Sequence, residues 1–410
     1  MGELSQKITQ CRICKGTRLE RYIDLGLMPL VNKHLDRQDE QNEPKFPLDV
    51  LFCHDCAASQ LSVVVDPGLL FSQYAYRSSI SQTFADHCYA LAKDCEKSLG
   101  MKKNELVIDI ASNDGCSLKE FTKLGVRPLG VDPAENLAAI ANKEGIPTLA
   151  KFWTPAVADE VVRQHGKAKI ITAMNVFAHV HDVHAFVDGI KRSLADDGTF
   201  IIECPYMVDL VNTNVFDTIY HEHLSYFLIT PLARLFKEHG LSLNRVERIL
   251  IHGGTIRLFV QHREAPDNSV RELLDLEKRE GFLSFEKYKT LAQSTEKIKD
   301  ELRVMVQKLK SEGKRIAGFG ASAKGCIMLN YCGLTPQDID YIVDDTPEKQ
   351  NKYFAGVRIP IVPRDKLASQ KPDYLLVLSW NFFDEIRQKT AAFEQAGGKY
   401  VLPVPSPQII

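Results

Sequence analysis

The chain has 410 residues, 44% hydrophobic and 25% charged, a globular profile that excludes disordered and collagen-like chains. Such a length is too great for one compact core, so several domains are expected. With 51 basic against 53 acidic residues the net charge is −2, which argues against nucleic acid or an anionic membrane as the main partner.

Ten cysteines fall far below the density of a disulfide scaffold. The start, Met1 to Lys7, lacks the apolar core of a secretory signal. No apolar run approaches the roughly 18 residues of a membrane span. A cytoplasmic protein is expected, in which grouped cysteines hold metal rather than pair with each other.

The first segment, 1–73, carries two C-x2-C knuckles, Cys11-Arg-Ile-Cys14 and Cys53-His-Asp-Cys56. Each places two thiolates in one turn, and together they form the tetrahedral sulfur set that zinc prefers. A site closed by four protein ligands is structural, because no position remains for water or substrate. His54 is a lesser, replacement ligand. The other six cysteines (Cys88, Cys95, Cys116, Cys204, Cys326, Cys332) are scattered and expected to be buried as small apolar side chains.

The middle segment, 74–268, alternates short apolar strands at 106–110, 128–132, 169–173 and 199–203 with helical patterns, which predicts βαβ units and a parallel sheet. Its first strand runs into Asp109-Ile-Ala111-Ser-Asn113-Asp114-Gly115, a small-residue turn opening a helix. The next strand ends at Asp132, whose carboxylate can accept both hydroxyls of a ribose. Only Gly115 of the turn is glycine, so the dinucleotide fingerprint is missing and S-adenosylmethionine is the expected cofactor. The bland alternative is an ordinary turn with Asp114 as helix cap. Phe152, in Lys151-Phe152-Trp153, offers a wall for the adenine, and Phe84 is placed among the cofactor contacts.

Two histidine-rich stretches follow, Asn175 to His184 and Tyr220-His221-Glu222-His223-Leu-Ser-Tyr-Phe227. Neither has the spacing of a binuclear hydrolase or of H-E-x-x-H, so acid–base chemistry is favoured over a catalytic metal. A structural role suits His181, His184 and His221 better than His223.

From 269 to 312 the sequence is charged and helical, and strands then recur to the end of the third segment, 269–410. Gly318-Phe-Gly320-Ala-Ser322-Ala323-Lys324 opens a helix after a strand, and Asp344 ends the next strand. Alone, this reads as a Rossmann fingerprint. The predicted fold class is α/β: two Rossmann-like parallel-sheet domains in series, preceded by a small zinc-binding domain.

The zinc knuckles, the loop from Asp109 to Gly115, the Tyr220-His-Glu-His block and the Gly318 loop together resemble the sugar C-3 methyltransferases of deoxysugar biosynthesis, over essentially the whole chain. The resemblance implies a nucleotide-linked 4-keto-6-deoxy sugar, carrying thymine or guanine, as substrate. His223 would remove the C-3 proton, Tyr76 and Glu222 would hold the keto oxygen, and Tyr220, Asn175 and His179 would line the sugar site. Ser322, Ala323 and Lys324 would meet the diphosphate, Asp344 and Lys349 the ribose or base, and Ser379 and Trp380 the base. Solvated surface charge is the plain alternative for Lys324 and Lys349. No nucleic acid or membrane partner is expected, and a chain that buries its own interfaces is compatible with a monomer. An NAD-dependent nucleotide-sugar oxidoreductase and a zinc-knuckle nucleic-acid methyltransferase are the competing readings.

Overall fold

A computed structural model describes residues 4–39, 42–71, 77–80, 82–249 and 254–410. The strand Lys45–Cys53 buries Phe46, Leu48, Val50 and Phe52 and leaves Lys45 and Pro47 exposed, the period-two pattern of a sheet with one face on a core. It pairs antiparallel with Leu19–Pro29 on one side and Ser59–Leu61 on the other. The fourth strand of this sheet, Ser225–Tyr226, comes from far along the chain. The segment after Tyr220-His-Glu-His is therefore stitched to the N-terminal sheet.

Seven strands form the middle sheet, in the order Ser242–Ile249, Thr255–Gln261, Leu194–Pro205, Ala168–Met174, Leu106–Ile110, Arg127–Val131, Thr148–Leu149. The last five run parallel, as expected, and Leu106–Ile110 is buried on both faces. Thr255–Gln261 departs from that expectation and runs antiparallel to both neighbours. The short connection from Ile249 to Thr255 is too brief for the crossover a parallel pair needs. The strand order reverses between Leu106–Ile110 and Ala168–Met174, the switch point at whose carboxyl ends α/β sheets bind ligands. The turn after Ile110 and Asn175 after Met174 thus open into the same crevice.

The third sheet has six strands, in the order Ile361–Val362, Ile342–Val343, Ile316–Phe319, Tyr374–Val377, Lys399–Leu402, Gln408–Ile409, and only the last is antiparallel. The charged stretch before it folds into helices Asn268–Arg279 and Phe285–Ser311. The longer helix buries Tyr288, Leu291, Ile298, Leu302, Val306 and Leu309 along one stripe. Tyr288 packs at 5.0 Å from the rings of both Tyr22 and Phe52 in the first sheet. Lys299 caps the ring of Tyr331 beside the third sheet at 4.8 Å. The helix is a spine as well as a connection, and one hydrophobic core runs through all three parts. Among the described residues no helix is long and apolar enough to cross a membrane.

Candidate active site

The four knuckle cysteines come together with their sulfurs all within 4.8 Å. Cys11 and Cys56 are 3.7 Å apart and Cys14 and Cys53 3.6 Å. A tetrahedral zinc with bonds of about 2.3 Å sets its sulfurs about 3.8 Å apart, so the set fits that ion. The amide of Gly16 donates to the Cys14 sulfur, as a thiolate would favour. His54 turns away to Glu20, at 2.8 Å. The remaining six cysteines are all buried, as expected.

At the switch point the backbone turns sharply. Ala111, Asn113 and Gly115 all have left-handed φ values of 57°, 54° and 78°. Asparagine and glycine tolerate that region, whereas alanine is strained by it. Gly130, on the neighbouring strand, passes so close that an added Cβ would meet Ser112 and Thr148. Asp132 braces the turn: it accepts from the amides of Asn113 and Ala134, each at 2.8 Å. Burial raises its carboxyl above the usual range, and these two amides oppose the shift. Asp109 is buried and accepts from the Thr172 hydroxyl at 2.6 Å; burial pushes its carboxyl up to about 7. Asp114 does not cap the following helix. Its Oδ2 instead accepts from Ser79 and Arg77, which fastens the segment before the helix Gln82–Ser98 to the turn.

The Ser112 hydroxyl and Asp114 Oδ1 are buried without a hydrogen-bond partner among the described residues. Polar atoms stranded beside a tight turn are where a polar cofactor would bind, so the chemistry of this pocket suits adenosylmethionine. Phe152 presents a ring that is 47% exposed after Thr148–Leu149, while Trp153 is buried and bonded to the Phe186 carbonyl. Phe84 sits on the Gln82–Ser98 helix, 6.2 Å from His87.

Tyr220 and His223 pack ring against ring, with centroids 4.0 Å apart and planes tilted by 32°. His223 Nδ1 lies 2.8 Å from the Thr218 carbonyl, so it carries the proton and donates. Nε2 is then the lone-pair nitrogen, and it accepts from the Tyr220 hydroxyl at 3.0 Å. Burial, with a smaller push from the Lys324 charge, takes His223 down to about 4. The His179 ring lies 5.1 Å from His223 and stacks on Phe71. Burial drives Tyr220 well above its usual value, helped by Glu222 and Asp217. Glu222 is 4% exposed and accepts from Asn32 at 2.6 Å. Asn175 holds a left-handed φ of 56° and donates its amide to the Glu203 carbonyl. His221 bonds to the Pro47 carbonyl, and His184 bridges His239 and the Ile13 carbonyl, both packing roles. Tyr76 lies outside the described residues.

The third sheet repeats the brace of the second. Asp344 accepts from the Ala321 amide at 2.7 Å and from Thr346 at 2.8 Å, the pattern that Asp132 makes with Asn113 and Ala134. Lys349 donates to the Ala321 carbonyl at 2.8 Å. Ser322 caps its helix by accepting from Gly325, and Ala323 begins that helix. Lys324 is no solvated charge. Its ammonium is buried, 4.6 Å over the Trp380 ring, with no hydrogen-bond partner among the described residues. Trp380 donates to Asp217 at 2.7 Å, and Asp217 Oδ1 is also left without a partner. Lys324 thus lies beside the Tyr220–His223 cluster, where its charge acts on both Asp217 and His223. Asp217, Thr218, Asn32 and Thr172 carry no motif and escaped the sequence reading.

Family models match three stretches of the chain: a zinc-binding domain over residues 11–71, a methyltransferase domain over 84–246 and a C-methyltransferase C-terminal domain over 250–405. The chain is 37% identical to C-methyltransferase NovU of Streptomyces niveus across 100% of its own length and 99% of that protein. It belongs to the sugar C-methyltransferase family. Members are adenosylmethionine-dependent C-methyltransferases, and this one carries the four-cysteine set of a structural zinc. A shorter match, 30% identical, joins 26% of the chain to 42% of a ubiquinone biosynthesis O-methyltransferase of Rhodopseudomonas palustris. Among solved structures, the magnesium protoporphyrin IX methyltransferase of Synechocystis, with S-adenosylmethionine bound, aligns over 44% of the chain and 78% of its own at 12% identity and a TM-score of 0.33. That likeness is too remote to carry an argument. The family assignment rests on the full-length relative.

Proposed function

We propose that this C-methyltransferase adds a methyl group to C-3 of a nucleotide-linked 4-keto-6-deoxy sugar. The observation that carries the reading is the orientation of His223. With Nδ1 committed to the Thr218 carbonyl, Nε2 is a neutral base aimed at the Tyr220 hydroxyl, buried beside His179, which follows the strand Ala168–Met174 at the switch point. A carbon beside a ketone is acidic enough to lose a proton to such a nitrogen, and the resulting enolate carbon is the nucleophile. Bound adenosylmethionine supplies an electrophilic methyl on a sulfonium.

Glu222, in its protonated form, and Tyr76 are assigned to the enolate oxygen, and Tyr220 to the wall of the sugar site. His179 and Asn175 line the sugar. Asp109, Ala111, Asn113, Asp114, Asp132, Phe152 and Phe84 surround the cofactor. The Lys324 ammonium lies in the field of Asp217 but has no hydrogen-bond partner among the described residues, which supports an anion-binding role, because buried donors left unpaired are costly until an acceptor arrives. Diphosphate oxygens suit it, together with Ser322 and Ala323, while Asp344, Lys349 and Trp380 meet the nucleoside. In this reading residues 1–73 form the zinc module, 74–268 the methyl-donor domain and 269–410 the nucleotide-gripping domain.

The test is incubation of the protein and adenosylmethionine with thymidine- and guanosine-diphosphate-linked 4-keto-6-deoxy sugars. One sugar should gain the mass of a methylene, with the new methyl at C-3. Methylation of oxygen, or none with any keto sugar, overturns the reading.

A further inference from the structure

The catalytic segment is held from outside its own sheet. His221 is bonded to Pro47, Glu222 to Asn32, and Ser225–Tyr226 to Ser59–Leu61, all on the N-terminal module. At the centre of this clamp lies Arg12, the residue after the first zinc ligand. It is 3% exposed. Its Nη1 donates to the Leu224 carbonyl at 3.0 Å, to the Leu61 carbonyl at 3.0 Å and to Gln60 Oε1 at 3.3 Å. Leu224 follows His223 directly, so the guanidinium grips the Leu224–Ser225 peptide, the unit just beyond the proposed base. The knuckle is gripped in turn, since His184 Nε2 donates to the Ile13 carbonyl at 2.7 Å.

A buried arginine inside a zinc turn is an expensive way to satisfy two carbonyls, and its Nε and Nη2 have no partner among the described residues. Packing alone would be served better by an apolar side chain. The planar guanidinium offers fixed geometry instead: several donors on a rigid plane, anchored at a Cα that the four-sulfur site immobilises. We propose that Arg12 is a positioning residue of the reaction, carrying the order of the zinc knuckle to the Leu224 carbonyl and so to the His223 ring. This inference rests on the assignment of His223 as the C-3 base.

Leu224 keeps a second bond, from the Leu61 amide at 3.0 Å, so loss of the guanidinium shifts the segment without releasing it. A displacement of about 1 Å at a reacting atom costs about 10²-fold in rate. The experiment compares full-length Arg12→Met, Arg12→Lys and His223→Asn with the wild type. It reads zinc content, adenosylmethionine affinity by calorimetry, and kcat and KM for uptake of solvent deuterium at C-3 of the methylated keto sugar's precursor.

Arg12→Met is expected to keep its zinc, its adenosylmethionine affinity and its sugar KM while kcat for exchange falls about 10²-fold. Arg12→Lys, which keeps the charge and one donor, recovers part of that loss. Wild-type exchange in Arg12→Met overturns the proposal, and so does parallel loss of zinc, cofactor affinity and exchange in both variants. Should Arg12→Met not fold, Arg12→Lys decides: a lowered kcat at unchanged KM supports the role and a wild-type kcat refutes it. If His223→Asn abolishes exchange and Arg12→Met does not, positioning alone fails. If His223→Asn retains exchange, the base assignment itself fails.

Discussion

Gly130→Ala probes the cofactor turn without touching any group that reacts. A methyl at Gly130 would lie 2.5 Å from the Ser112 hydroxyl, 2.6 Å from the Thr148 hydroxyl and 3.1 Å from Thr148 Cγ2. Ordinary contact is about 3.5–4.0 Å, so neighbours on both sides must retreat by about 1 Å. Thr148 can retreat only by disturbing its bond to the Ile146 carbonyl at 3.0 Å, and Ser112 only by moving the turn between Ala111 and Asn113. Overpacking of this kind costs about 1–3 kcal/mol. If the turn holds adenosylmethionine, as proposed, a share of that strain should appear as weaker cofactor binding, about tenfold for 1.4 kcal/mol. Urea unfolding without cofactor and calorimetric titration with it measure the two parts. Ser112→Ala in the same chain removes the tightest contact and should return part of the stability loss. Wild-type midpoint and affinity in Gly130→Ala would show that the turn has room, and would refute the reasoning.

Three further outcomes are expected. His223 lies near 4 instead of its ordinary 6.5, so C-3 exchange should persist to low pH and be lost only as pH falls toward that value; Lys324→Met removes one depressing charge and should move the acid limb upward in a pH–rate profile. Asp109, raised to about 7 in the folded chain against 3.8 unfolded, holds its proton in the native state between those values, so native stability falls as pH rises across that window. Asp109→Asn should therefore gain on the wild type from pH 4 to 7, by on the order of 4 kcal/mol at most, in urea titrations at the two ends. Ala111→Gly relieves a left-handed alanine and should raise the unfolding free energy by up to about 1 kcal/mol in urea titration; a fall would mean that the turn is not strained there.

The zinc set could be read from the chain because each knuckle's two ligands are three residues apart, and only the joining of the knuckles needed folding. The strands were legible for the same reason, since their signal is local. The antiparallel pair at the edge of the middle sheet was not, because direction follows from a short connection and not from residue type. The Tyr220-His-Glu-His block was visible as chemistry, but its supports were not. Asn32 and Arg12 reach it across most of the N-terminal half of the chain, and no spacing rule encodes such a contact. Lys324 shows the same limit. After a glycine-rich loop it reads as a phosphate contact, yet its burial between Trp380 and the Tyr220–His223 cluster depends on how the third sheet packs on the second.

The central claim is that His223 takes a proton from C-3 before the methyl is transferred. The most direct test places the enzyme, the nucleotide-linked keto sugar and S-adenosylhomocysteine in deuterated water and follows the C-3 signal by NMR. The account predicts that wild-type protein exchanges that hydrogen without methylating the sugar, and that His223→Asn does neither while still binding cofactor. Exchange at full rate in His223→Asn, or no C-3 exchange by a wild-type protein that does methylate the sugar when S-adenosylmethionine is supplied instead, would contradict it.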